Sequence, residues 1–92
     1  MKMRELTVAK RQMVDEAGRE HNYEYMILID EMSVSDQIRV ESYGVKILEQ
    51  EGESSELTNI TPSSARIERL LDLLVRNTVT PCTLRNVVDD WL

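Results

Sequence analysis

Apolar positions recur with a period near two up to about residue 60 and near 3.6 after it. The helical part is the sharper of the two. Ile67, Leu70, Leu71 and Leu74 follow i, i+3, i+4, i+7, widened by Leu73, and Leu84, Val87, Val88 and Trp91 repeat the stripe. Thr61-Pro62 and Thr80-Pro81 predict the two starts, with Thr as N-cap and Pro, already helical in φ, at the first helical position. Val79 and Leu84 are spaced for a hydrophobic staple around the second start. Asn77 predicts a left-handed stop for the first helix. The helices are expected at about 62–76 and 81–91. Asp89 and Asp90 then fall at a helix C-terminus, where they oppose the macrodipole. An antiparallel pair of helices would bring them toward Arg66 or Arg69.

Upstream, Thr and Val in residues 5–15 fit a strand, with a helix through Met3, Leu6, Ala9 and Met13 as the rival. Asp15-Glu16-Ala17-Gly18 fits a type I turn closed by a left-handed glycine, which favours the strand. Residues 22–32 are the clearest strand: Tyr23, Tyr25, Ile27 and Ile29 share one face, Met26 and Leu28 the other. Ser33–Gln37 is a polar turn. In residues 38–50 the pattern changes phase, Ile38 and Val40 on one parity and Tyr43, Val45 and Ile47 on the other. A bulge near Glu41–Gly44, close backbone approach at Gly44, or burial of opposite faces at the two ends would each account for it. Glu49–Glu56 reads as a solvated acidic loop, and Leu57–Ile60 as a short fourth strand. The expected architecture is a single α+β domain over residues 1–92: an antiparallel three- to four-stranded meander within residues 5–60, then two C-terminal helices packed on one face of the sheet.

A net charge of −6 argues against broad electrostatic binding to nucleic acid. No run of about 18 apolar residues is present, and the first residues lack a signal-peptide core, so a cytoplasmic protein is expected. One cysteine rules out an internal disulfide and a cysteine-built zinc site. His21 is the one histidine and reads as solvated, without a partner in sequence for metal or triad chemistry. Cys82, near a helix start where a thiol is acidified, lacks a nearby base. Gly18, Gly44 and Gly52 are isolated, so no phosphate loop exists. No catalytic, cofactor or metal residues are expected.

Ser42-Tyr43-Gly44-Val45, Arg76-Asn77, Val79-Thr80-Pro81 and the run Leu84-Arg85-Asn86-Val87-Val88-Asp89-Asp90-Trp91-Leu92 resemble an uncharacterised family. It is a domain-of-unknown-function family of short proteins, mostly from clostridia and related Gram-positive bacteria. The resemblance covers nearly the whole chain and implies a bacterial cytoplasmic protein with no assigned catalytic residues.

The expected function is a small non-catalytic protein-interaction or regulatory module, with homodimerisation as one form of it. Met26 and Leu28, joined by Ile38 and Val40, are the candidate surface, an apolar patch on the sheet face away from the helices. The alternative is a nucleic-acid-binding regulator that uses the C-terminal helical pair. There Arg85 and Asn86, chemically suited to guanine and adenine, would make the contacts. Asp89 and Asp90 on the same helix would repel phosphate.

Overall fold

Alternation and turn chemistry fold the first two thirds into one antiparallel sheet, in the order β1-β2-β3-β4. Its strands are β1 (Lys2–Val14), β2 (Glu20–Ser33), β3 (Arg39–Glu49) and β4 (Ser54–Thr61). Two helices follow: α1 (Ser64–Arg76), then α2 (Leu84–Trp91), which opens with a 3-10 turn at Pro81–Thr83. The computed structural model describes residues 2–92. The α+β meander with two terminal helices matches the sequence expectation, and residues 5–14 are strand rather than helix.

The first hairpin closes as its residues dictate. Asp15 Oδ1 accepts from the Ala17 and Arg19 N–H groups, and Gly18 takes φ +80°. Tyr23, Tyr25 and Ile27 of β2 and Val45 and Ile47 of β3 share the inner face, in a continuous register from Tyr23↔Glu49 to Ser33↔Arg39. Against them pack Ile67, Leu70, Leu71 and Leu74 of α1 with Val79, Leu84 and Val88, all buried. Burial of each such side chain contributes about 1.5–3 kcal/mol relative to exposure.

The unbroken β2–β3 register shows that β3 holds no bulge at Glu41–Gly44. Val40 therefore lies on the outer face, and Tyr43, Val45 and Ile47 on the inner. The irregularity belongs to β4 instead, where Tyr43↔Thr61 is followed by Val45↔Leu57, leaving extra residues between them. Gly44 is what permits it. A Cβ there would overlap the Leu57 carbonyl oxygen and lie 2.8 Å from the Thr58 Cα. A second bulge lies in β1 between Thr7 and Ala9.

Both helix boundaries of α1 differ from expectation. The N-cap is Ser63, whose Oγ accepts from the Arg66 N–H, and Pro62 precedes it. The Thr61 hydroxyl is already engaged, accepting from the Ser63 N–H in a local turn that ends β4. At the other end Asn77 remains in a near-helical conformation and Thr78 is the left-handed residue, at φ +47°. Val79 N–H bonds back to Leu74 O and Thr78 N–H to Val75 O, a Schellman closure. The Asn77 amide spends its donor on Leu73 O. Around the second start Val79 and Leu84 are both buried, as a staple requires. Asp89 and Asp90 form no ion pair with Arg66 or Arg69 among the described residues. Arg66 lies over the Trp91 ring instead, 4.7 Å from its centroid.

The molecule measures 55 × 25 × 17 Å. The core cluster reaches no further along β2 than Ile27, so the helices cover one half of the long sheet and leave the other half free.

Candidate functional site

Two arrangements stand out, one at each end of the sheet. At the end where the β1–β2 and β3–β4 turns meet, His21 bridges two carboxylates. Its Nε2 lies 2.9 Å from Asp15 Oδ2, and its Nδ1 is hydrogen-bonded to Glu49 Oε1. The ring stacks parallel to Tyr23, with centroids 6.1 Å apart. Only 26% of the His21 side chain is exposed, so the expectation of a solvated histidine is corrected: the hairpin register brings residues far apart in sequence onto both ring nitrogens. The Glu49 hydrogen bond, then the Asp15 one, raise the His21 pKa. The His21 bond and the Arg19 amide lower that of Asp15. Burial first, then the Glu49 charge, raises that of Tyr23.

This geometry suits a structural clamp better than a base. Both imidazole nitrogens are occupied, so neither is free to take a proton from Cys82. That thiol is exposed, with the Thr80 hydroxyl 3.3 Å away. Among the described residues no group of three or more His, Cys, Asp or Glu side chains is placed to hold a metal ion.

At the other end lies the helix-free half of the sheet. Met3, Leu6 and Val40 there, with Val34 and Ile38 in the adjoining β2–β3 turn, are exposed large apolar side chains. Of the surface expected from sequence, Met26 is half-buried on the outer face and Val40 is 38% exposed there. Leu28 is on that face but only 1% exposed, so it supports the surface without forming it. Its register partner on β3 is Gly44. Ile38 lies outside β3, in the β2–β3 turn, where its carbonyl accepts from the Val34 N–H. The structure thus leaves Met26 and Val40 on the face and moves Ile38 to its tip.

Sequence reading overlooked Asp30. It lies on the outer face, across from Met3 on β1 and Ser42 on β3, and is 7% exposed. Its Oδ1 has no hydrogen-bond partner. The one available signal was an acid ending the apolar run Tyr25–Ile29.

A groove of about 550 Å³ occupies the outer face nearer the turns, between Lys10, Gln12, Asn22, Glu24, Leu48 and Gln50. A smaller notch of about 290 Å³ separates β1 from α1, between Val8, Ala9, Ile27, Leu71 and Val75, with Glu68 and Asp72 on its rim. Arg85 and Asn86 are exposed on α2, on the same short helix as exposed Asp89 and Asp90.

The sequence pattern of a family of unknown function, DUF6514, matches residues 4–92. The chain belongs to this family. The match takes in both helices and the sheet from Arg4 onward, so β1 and the helix-free half are part of the family's domain rather than an appendage. No curated protein and no solved structure matches the chain. No helix is long and apolar enough to cross a membrane.

Proposed function

We propose that the protein is a non-catalytic interaction module, and that it binds a protein partner through the helix-free half of its sheet. The observation that carries this reading is the segregation of exposed apolar side chains. Met3, Leu6, Val34, Ile38 and Val40 gather at the half that no helix covers, while Val8 borders α1 and Val14 and Leu92 lie elsewhere. Isolated exposed apolar residues are ordinary on any protein; a gathered set is characteristic of an interface. The extended shape supports the same reading, because a sheet of this length exceeds what two short helices can cover. A bacterial, cytoplasmic setting belongs to the proposal, on the resemblance to short clostridial proteins. Binding through Arg85 and Asn86 is disfavoured by Asp89 and Asp90 beside them and by the net charge of −6.

The test uses two baits in a lysate of the native organism: the wild-type chain and a Leu6→Lys, Val40→Lys variant. Both sites are exposed, so the variant retains the fold. A protein captured by the first and lost from the second supports the reading. Identical captures by both baits sink it. Light scattering at high concentration settles the homodimeric form, which a strict monomer excludes.

A further inference from the structure

Among the described residues, the helix-free half contains a buried polar group without a hydrogen-bond partner. Asp30 is 7% exposed and its Oδ1 accepts no hydrogen bond. A buried acceptor without a donor is a cost that native proteins rarely carry without a reason. Ser42 lies directly across on β3, and the other neighbours are apolar and adaptable. Met3 lies across on β1, Met32 follows on β2, and Val40 pairs with Met32 on β3. Met26 continues the same row of β2. Methionine is unbranched and polarisable, so a surface framed by it moulds to different partners.

Among the described residues, the neighbouring cations are already engaged. Arg4 pairs with Glu41 at 2.9 Å, Arg39 with Glu31 at 2.9 Å, and Lys46 with Glu5 at 3.5 Å. None of them is paired with Asp30.

We propose that Asp30 anchors a lysine or arginine of another protein, presented by a cationic amphipathic helix whose apolar stripe lies on Met3, Met26, Met32 and Val40. The inference rests on the reading of this half as an interface and adds the chemistry of the partner. Charge selects the occupant. The chain carries −6 overall, and the unpartnered group is an acid. A second copy packed through the same face would offer only Arg4, Arg39 and Lys46 nearby, each already paired with a glutamate of its own chain. A lysine or arginine at the margin of an apolar stripe fits the geometry, because its long stem packs on methionine while its head reaches the carboxyl group.

The probe is a synthetic amphipathic peptide of leucine and lysine, about five helical turns long. Two counterparts of the same apolar pattern carry glutamine or glutamate in place of lysine. The full chain is labelled at its methionine methyls and titrated with each. The lysine peptide is expected to shift the Met3, Met26 and Met32 signals and leave Met13, which packs against the core under the helices, unmoved. The glutamine and glutamate peptides are expected to bind at least about tenfold more weakly. Asp30→Asn is expected to weaken the lysine peptide by at least about tenfold as well. Glu56→Gln, which removes the same charge from an exposed site, should change it by no more than about twofold.

Methionine shifts that persist with unchanged affinity in Asp30→Asn overturn the anchor and leave the interface standing. Equal losses in Asp30→Asn and Glu56→Gln overturn it too, since the attraction is then general. Absence of any methionine shift removes the interface reading along with it. A dimer by light scattering that Val40→Lys dissolves assigns the face to a second copy and overturns the proposed partner. The peptide series keeps the test independent of whether a protein variant folds.

Discussion

The Tyr25 hydroxyl donates a hydrogen bond to the Val79 carbonyl, 2.9 Å away and fully buried. This bond ties the centre of the sheet to the linker between the helices, residues 54 positions apart in sequence. It explains how a tyrosine can occupy the middle of an apolar core, since its polar end is satisfied.

Removing that donor isolates its contribution. Tyr25→Phe keeps the ring and leaves the Val79 carbonyl without this partner, so stability should fall by about 1–3 kcal/mol in urea denaturation. Burial pushes the Tyr25 pKa up to about 12. The native state therefore favours the protonated phenol. Its contribution is full below the ordinary value of 10.0 and is lost as pH rises toward 12. Wild type should lose stability over that alkaline range, and Tyr25→Phe should lose less. Parallel alkaline profiles would refute this account.

The His21 clamp follows the same rule at lower pH. Its raised pKa means that its contribution is full below 6.5 and lost as pH rises through the folded value. The lowered Asp15 pKa means that its contribution is present above 3.8 and lost as pH falls through the folded value. The clamp is complete between those limits. His21→Gln should therefore differ most from wild type in thermal midpoint near about pH 5 and least at mildly alkaline pH. A difference constant across that range would show that the ring acts by packing alone.

Gly44 and Gly52 separate steric necessity from mere turn preference. Gly44→Ala places a Cβ against β4 backbone and should cost about 1–3 kcal/mol or more, because backbone must move. Gly52→Ala meets only the flexible Glu49 side chain, at 3.0 Å, and should stay within about 0.5 kcal/mol. Equal midpoints for the two variants in chemical denaturation would contradict the close strand crossing.

Among the described residues Glu51, Asn59 and Thr78 take positive φ without being glycine, and Thr78 is the β-branched one. A β-branched residue at φ +47° carries a steric cost that glycine avoids, so Thr78→Gly should raise stability by about 0.5–1.5 kcal/mol despite glycine's larger unfolded-state entropy. Destabilisation by this substitution would mean that the Thr78 side chain makes contacts worth more than the strain.

The sequence by itself determined what depends on neighbours along the chain. Strand parity in β2, the Asp15–Gly18 turn, the stripes of α1 and α2 and the Val79/Leu84 staple are local patterns, and each was legible. Boundaries were less so, because Thr61-Pro62-Ser63 offers two hydroxyls as caps and only the end of β4 decides between them. Tertiary structure alone decided whatever rests on register between distant strands. It placed Asp15 and Glu49 on the two nitrogens of His21, closed β4 over Gly44, buried Leu28, and left Asp30 enclosed without a donor among the described residues. Parity names the face on which a side chain lies. How much of that face stays open depends on where the helices end, and no local pattern carries that information.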